Sequence, residues 1–154
     1  MNKVIDWAKT HPKLSMWLVP GYALTHEAHF LETAENCARY YMDNTPAHGV
    51  PPNDFSEPVP SLPYESSAAA IAASGLLQLS GLTLEPSKAK IYHEYALTIL
   101  DTLSTEEFLA DRTPGWEGIL KHGIYHQRKG LGVDESVMWG DYFYLEALSK
   151  ALEA

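Results

Sequence analysis

The sequence predicts an all-α protein, and two features of the residue pattern support this class. Apolar residues recur at helical spacing over most of the chain, whereas no stretch shows the alternation of β-branched residues that is typical of a strand. Most of the glycine and proline lies in two long connections, which separate helical segments. No strict repeat is visible, so a TPR or ankyrin array is not expected.

Composition restricts the function classes. A chain of 154 residues fits one domain with a real core. The formal charge of −9 argues against binding to nucleic acid or to an anionic membrane surface, since basic patches hold both. The single cysteine, Cys37, excludes an internal disulfide, and no membrane span or secretion signal is visible. We therefore expect a soluble cytoplasmic protein, and no nucleotide or other cofactor motif is present.

The first long helix is predicted to be continuous from residue 22 to residue 42, because neither glycine nor proline interrupts it. Its apolar stripe comprises Phe30, Leu31, Ala34, Cys37, Ala38 and Tyr41. The next segment, residues 44 to 63, holds six of the ten prolines. It is predicted to be an ordered irregular loop, and long loops of this kind are often functional.

Three further helices follow. One spans residues 66 to 79 and is capped by Ser66 or Ser67, and the next runs from Pro86 to about Leu103. The second of these is expected to place Ile91, Tyr95, Ile99 and Leu103 on one face. Residues 104 to 134 form a long connection. A terminal helix begins at Ser136, capped by Asp134, with an apolar stripe of Val137, Tyr144, Leu145, Leu148 and Leu152.

Asp141 interrupts that stripe, because it lies four residues from both Val137 and Leu145. A carboxylate in such a position is costly unless hydrogen bonds or a positive charge meet it. The sequence therefore predicts that Asp141 is largely buried and hydrogen-bonded. Asp141 and Asp54 are also weak candidates for a catalytic acid, as is Glu65, although turn and cap roles explain Asp54 and Glu65 more simply.

The segment from residue 111 to residue 129 combines positive charge with aromatic rings. It holds Arg112, Lys121, Arg128 and Lys129, four of the eleven basic residues, with His122, His126, Trp116 and Tyr125. Such a patch in an acidic protein suits a small anionic ligand with apolar ring faces, for example an acidic sugar. The alternative is a solvated basic loop. His122 and His126 are four residues apart, but nearby glycines disfavour the helix that a metal site would need, so no metal is expected.

Several strings, in order along the chain, resemble the C-terminal part of unsaturated glucuronyl hydrolases, glycoside hydrolase family 88. They are Tyr22-Ala23-Leu24-Thr25, Phe30 to Glu35, His48-Gly49-Val50-Pro51 with Asp54-Phe55, Ser66 to Leu77, and Gly132 to Leu148. The resemblance implies a partial (α/α)6 barrel of about five helices, arranged in hairpins. It also implies release of a 4,5-unsaturated uronic acid from lyase-generated oligosaccharides, where an aspartate protonates the vinyl ether and water adds.

The chain also departs from the family pattern. The two aspartates on which the family relies lie upstream of every matched string, and the family string Arg-Gly-Gln-Ala-Trp becomes Lys13-Leu14-Ser15-Met16-Trp17. We therefore expect a single domain over residues 1 to 154, poorly matched over residues 1 to 15, that is inactive alone. Its partner would be a second copy or a complementing N-terminal half, and the alternative is a non-catalytic carbohydrate-binding or assembly module, or a degenerate fragment.

We therefore expect the chain to supply the far wall of a sugar pocket. The side chains expected to bind the unsaturated uronyl oligosaccharide are Trp17, His122, Tyr125, His126, Arg128 and Lys129. Asp134 and Asp141 are expected to order the last loop, and Ser66 is expected to have a structural polar role.

Overall fold

The all-α class is confirmed, and the structure, a computed structural model, describes residues 18 to 56 and 64 to 153. In these two ranges the α-helices are α1 (Leu18–Thr25), α2 (Ala28–Asn44), α3 (Ser66–Leu82), α4 (Pro86–Leu103) and α5 (Met138–Glu153). Two short strands, β1 (Gly123–His126) and β2 (Leu131–Glu135), lie between α4 and α5, joined by the 3-10 turn Gln127–Lys129. No helix within the described ranges is both long and apolar enough to cross a bilayer.

Helix α3 is the centre of the fold. Every residue from Ser66 to Leu77 is buried, because α4 packs along one side of α3 and α5 along another. The small side chains of α3 allow this close approach. At the contact with α5, a Cβ on Gly140 would lie 2.9 Å from the Cβ of Ser67, so only glycine fits at position 140.

The helices alternate in direction. Glu35 of α2 faces Lys88 of α4, and Tyr41 lies beside Tyr95 further along the same two helices, so α2 and α4 run parallel. Ser67 and Ser74 of α3 likewise meet Gly140 and Glu146 of α5. The irregular segments before α3 and before α5 therefore lie at one end of the helices, which we call the loop end.

The prediction of one helix from residue 22 to residue 42 is wrong. The helix is interrupted at His26 and Glu27. His26 has a positive φ of 56°, and its N–H donates to the Tyr22 carbonyl at 2.8 Å. This is the left-handed cap that usually ends a helix at glycine, and histidine tolerates the conformation better than most side chains. A Cβ on Gly21 would lie 3.0 Å from the Phe30 ring, so α2 folds back on α1 as a hairpin.

The predicted caps differ from those observed. Neither Ser66 nor Ser67 caps α3; Glu65 is the N-cap residue, and its carboxylate accepts a hydrogen bond from the Ser67 N–H at 3.2 Å. Asp134 does not cap α5, because it lies in β2, and α5 begins at Met138 rather than Ser136.

The predicted apolar faces of α4 and α5 are partly wrong. Ile91 is 53% exposed, and the buried face of α4 is instead made of Tyr92, Ala96, Ile99, Leu100 and Leu103. On α5, Leu145 and Leu152 are 54% and 89% exposed, whereas the core side carries Gly140, Tyr144 and Ala147. Both helices have apolar residues on more than one side, so spacing alone could not show which side is buried.

A β-hairpin occupies part of the segment that was predicted to be a long connection. Ile124 pairs with Val133 and His126 with Leu131, and the register shifts between Gly123 and Ile124. Gly130 takes a positive φ of 62° at the end of the turn. The hairpin places residues 123 to 135 over the N-terminal end of α3.

An ion pair joins α2 to the first turn of α4, and a hydrogen bond joins α2 to the turn between α3 and α4. The Glu35 carboxylate accepts hydrogen bonds from Lys88 Nζ at 2.7 Å and from Thr83 Oγ1 at 2.6 Å. Partial burial would raise the pKa of Glu35, but the bonds from Lys88 and Thr83 outweigh it and lower the pKa.

Replacing Glu35 with Gln is therefore expected to lower the free energy of unfolding by about 1 kcal/mol at neutral pH. Because the folded-state pKa is below the ordinary 4.5, this stabilisation is present above that pH and is lost as the pH falls through the folded-state value. Urea unfolding between pH 3 and pH 7 measures it. Glu94→Gln is the control, since the Glu94 carboxylate forms an exposed pair with Lys90 at 3.7 Å. A loss that is equal at both ends of the pH range would contradict this account.

Candidate functional site

The two irregular segments meet at the loop end. Asn53 of the proline-rich segment donates from Nδ2 to Gln127 Oε1 of the hairpin turn at 2.7 Å. The Ser66 N–H donates to the His122 carbonyl at 3.0 Å. Over their described residues the two segments therefore lie at the same end of the helices, as a single sugar pocket that includes both would require. Trp17 and residues 1 to 15 lie outside the described residues.

Tyr125 forms an exposed aromatic surface on the hairpin. Its side chain is 62% exposed, and its ring centroid lies 5.8 Å from that of Trp139 at the start of α5. Trp139 Nε1 donates to Ser67 Oγ at 3.0 Å, so α3 fixes the indole that supports Tyr125. Gly132, with a positive φ of 53°, passes close to Tyr125, since a Cβ there would lie 3.0 Å from the tyrosine Cβ. The result is a supported ring that is open to solvent.

The Glu65 side chain links the hairpin that carries Tyr125 to the start of α3. The carboxylate is fully buried and accepts a hydrogen bond from Ser67 Oγ at 2.6 Å and one from the Ile124 N–H at 3.3 Å. One side chain thus joins the start of α3 to β1. The cap role expected for Glu65 is observed, and the link to the hairpin is additional.

The basic segment divides into two parts. Arg112 pairs with Glu106 at 2.8 Å, and Lys121 Nζ donates to the Glu106 carbonyl at 2.6 Å, so both stabilise their own loop. Arg128 and Lys129, in the hairpin turn, are exposed and form no ion pair within the described part of the chain. These two cations are therefore the part of the patch that is available to an external anion.

His122 is held by a carboxylate. Its Nδ1 lies 2.5 Å from Asp134 Oδ1, and its ring packs edge-on against Phe108 with centroids 5.6 Å apart. Both His122 and Asp134 have a positive φ of 63°. Non-glycine residues in this conformation are strained, and such strain is concentrated at functional sites. The Asp134 bond orients the imidazole and leaves Nε2 as its second polar atom.

His126 lies at the end of β1, half-buried, and not on a helix with His122. The geometry that would align the two histidines at helical spacing is therefore not formed. No cluster of metal-ligating side chains is found among the described residues.

Two of the weak catalytic candidates, Asp141 and Asp54, accept hydrogen bonds from backbone N–H groups. Asp141 accepts hydrogen bonds from the Ile119 N–H at 3.0 Å and from the Leu120 N–H at 2.9 Å, one on each oxygen. The predicted hydrogen bonding of this carboxylate is confirmed, although the residue is half-buried rather than largely buried. Asp54 Oδ1 accepts from the Ser56 N–H at 2.8 Å, which is the geometry of an Asx turn.

Other residues of the site could not be identified from the sequence. Asn53 and Gln127 lie 74 positions apart and carry no motif, so nothing in the sequence pairs them. The bond between Trp139 and Ser67 joins residues 72 positions apart. The signal that was available, a serine pair opening an alanine-rich helix, identified the helix start but not its partner.

Sequence comparison finds close relatives for most of the chain. It is 35% identical over 152 residues to an unsaturated glucuronyl hydrolase of Formosa agariphila, covering 94% of this chain and 37% of that relative. It is 38% identical over 139 residues to the unsaturated glucuronyl hydrolase of Bacillus sp. strain GL1, covering 86% and 36% of the two chains. No protein-family model matches. The chain thus spans just over a third of the length of these relatives.

Solved structures of the same enzymes match the fold. An unsaturated glucuronyl hydrolase specific for heparin superposes with a TM-score of 0.82 at 34% identity, over 92% of this chain and 39% of that one. The Bacillus sp. GL1 enzyme, responsible for the degradation of glycosaminoglycan, gives a TM-score of 0.78 at 34% identity, over 89% and 38%. An Asp-to-Asn variant of the Streptococcus agalactiae enzyme, complexed with dGlcA-GalNAc6S, gives 0.78 at 26% identity, over 90% and 38%.

Proposed function

Since this chain is a member of the unsaturated glucuronyl hydrolase family that spans about 37% of a relative's length, we propose that its loop end forms part of the wall of an acidic-sugar pocket. The ligand class is an oligosaccharide that ends in a 4,5-unsaturated uronic acid. The observation that carries the proposal is the pair of cations Arg128 and Lys129, which lack carboxylate partners among the described residues and lie in the same hairpin as the exposed Tyr125.

The chemistry of these groups suits such a ligand. A guanidinium can hold a carboxylate or a sulfate by two parallel hydrogen bonds, and an ammonium adds a mobile charge. An exposed tyrosine ring offers an apolar face for the C–H side of a sugar. Because the whole chain has a charge of −9, an anion would be repelled unless local cations met it, so the position of these two side chains decides where it can bind.

His122, His126 and Trp17 complete the proposed set. Asp134 fixes the His122 ring, so a hydrogen bond from His122 to a sugar hydroxyl would require little further ordering. His126 follows Tyr125 in β1. The S. agalactiae relative, in complex with dGlcA-GalNAc6S, shows that a protein of this family takes an unsaturated uronyl disaccharide.

A proton donor for the vinyl ether is assigned to the part of the enzyme that this chain does not span. Asp141 and Asp54 each accept hydrogen bonds from backbone N–H groups, so both carboxylates are already engaged in holding loops. The same observation favours the second candidate function, carbohydrate binding without hydrolysis, for the chain alone. Whether the protein hydrolyses the sugar or only binds it depends on whether helices equivalent to the rest of the relatives' fold are also present.

Binding of the unsaturated chondroitin disaccharide tests the proposal. Titration calorimetry at millimolar ligand should show that the double variant Arg128→Gln and Lys129→Gln raises the dissociation constant at least about tenfold, equivalent to about 1.4 kcal/mol. The control variant, Arg39→Gln with Lys90→Gln, removes the same charge from exposed positions on α2 and α4 and should bind like the wild type. Equal weakening in both variants, or no binding by the wild type, would contradict the assignment.

A further inference from the structure

Two amide side chains join the proline-rich segment to the hairpin turn. Asn53 Nδ2 donates to Gln127 Oε1 at 2.7 Å, and we call this contact the amide bridge. It connects residues 74 positions apart, and Gln127 is the first residue of the 3-10 turn that also carries Arg128 and Lys129. The bridge therefore links a distant part of the chain to the turn of the two exposed cations.

The segment that carries Asn53 is held in place on both sides of this residue. Pro51 is fully buried, and its carbonyl accepts a hydrogen bond from the Glu65 N–H at 3.0 Å. On the other side of Asn53, the Phe55 ring packs edge-on against Tyr41, with ring centroids 6.1 Å apart. Asn53 therefore lies between two anchored positions, and its side chain offers a fixed point of attachment.

The hairpin turn has few such anchors of its own. Gln127, Arg128 and Lys129 are all exposed, and the turn is three residues long. At its end, the Gly130 N–H donates to the Gln127 carbonyl at 2.9 Å. Long cationic side chains have many rotamers, so ordering them for a ligand costs binding free energy. A turn that is already fixed lowers this cost, because its backbone does not have to be ordered when the ligand binds.

The amide bridge is neutral, which suits a site for an anion. A carboxylate in place of either amide would pair with the neighbouring cations and compete with the ligand for them. Asp54, which follows Asn53, is engaged in its own loop, where Oδ1 accepts from the Ser56 N–H at 2.8 Å. The turn is thus attached without neutralising Arg128 or Lys129.

From these contacts we propose that Asn53 is a positioning residue of the acidic-sugar pocket. It acts through Gln127, because the amide bridge holds the turn in the position from which Arg128 and Lys129 meet the anionic group of the sugar. In this role Asn53 makes no contact with the ligand. The role rests on the function proposed above for the two cations, and it adds the residue that sets their position.

Titration calorimetry with the unsaturated chondroitin disaccharide measures the role. Asn53→Ala should raise the dissociation constant about fivefold, and so should Gln127→Ala, since each removes the same bond. The double variant should bind no more weakly than either single variant, because both substitutions act on one interaction. Exchanging the amides, as Asn53→Gln with Gln127→Asn, should restore the affinity, because the combined length of the two side chains is unchanged.

The matched control is Asn36→Ala on α2. Asn36 is also half-buried, and its amide also makes a side-chain hydrogen bond, from Arg39 to Oδ1 at 2.8 Å. This variant should bind the disaccharide like the wild type. Urea unfolding of all variants verifies that a weaker affinity does not come from a loss of global stability.

Two further measurements separate positioning from charge. Asn53→Ala keeps both cations, so its dissociation constant should rise with ionic strength as steeply as that of the wild type. The variant Arg128→Gln with Lys129→Gln should lose most of that dependence. Without ligand, hydrogen exchange of the Gly130 N–H should become about fivefold faster in Asn53→Ala, because the turn opens more often.

The outcomes distinguish this role from the proposed function. Asn53→Ala with wild-type affinity, effects that add in the double variant, or a swapped pair as weak as the single variants would overturn the positioning role alone. An unchanged exchange rate at Gly130 would also overturn it. Wild-type affinity in the variant Arg128→Gln with Lys129→Gln, or no binding by the wild type, would overturn the proposed function and the positioning role with it.

Discussion

Replacing Asp141 with Ala is expected to lower the free energy of unfolding by about 1 to 3 kcal/mol or more, because two backbone N–H groups lose a charged acceptor. Those groups belong to Ile119 and Leu120, and Leu120 is 2% exposed, so water cannot fully replace the carboxylate. Leu120 also pairs with Leu109 in an isolated bridge. The substitution should therefore loosen the whole connection between α4 and the hairpin.

Urea unfolding followed by circular dichroism measures the loss. Asp141→Asn should fall between the wild type and Asp141→Ala, because the amide keeps one acceptor oxygen. Asp101→Ala, at an exposed position of α4, is the control and should change stability by less than about 0.5 kcal/mol. If Asp141→Ala and Asp101→Ala unfold at the same urea concentration, the carboxylate does not hold this loop.

The second large effect is the absence of turnover: the purified chain alone should not hydrolyse an unsaturated uronyl disaccharide. Protonation of a vinyl ether needs a carboxylic acid within about 3 Å of the vinyl carbon, a positioned water and a site that excludes bulk solvent. The carboxylates of Asp141 and Asp54 instead accept hydrogen bonds from backbone N–H groups.

Ultraviolet absorbance of the conjugated double bond follows the reaction directly. The chain alone should leave the absorbance unchanged, and the intact Bacillus sp. relative is the positive control. Loss of absorbance that Asp141→Asn or Asp54→Asn abolishes would identify a replacement acid in this chain and refute the prediction. Loss that neither variant affects would point to a different group.

Where strong local signals agree, the sequence predicts the helices well. The start of α4 at Pro86 and its end at Leu103 were predicted correctly, because proline fits the first turn of a helix and a run of helix-forming residues follows. The break between α1 and α2 was missed because His26 adopts a conformation that glycine usually marks. The hairpin was missed because β1 and β2 are only 4 and 5 residues long and each includes a glycine.

The site was predictable in part. Asp141 was identified because a carboxylate among apolar residues requires partners, but Ile119 and Leu120 supply those partners through backbone that has no sequence signal. The basic segment was identified as a whole. Which of its cations are paired depends on the position of Glu106 in the fold. Glu106 lies 15 positions before Lys121 in the sequence, so the pairing carries no local signal.

The contact between α3 and α5 also bears on the order of events in folding. Ser67 and Trp139 are 72 positions apart, whereas α3 and α4 are joined by a turn of a few residues. Closing the longer loop costs more chain entropy, and contacts between distant segments form late unless other structure has already brought them together. The α3–α4 hairpin is therefore expected to form first and to serve as the template on which α5 docks. The Tyr125 surface, which depends on Trp139 of α5, then reaches its final position in the last step.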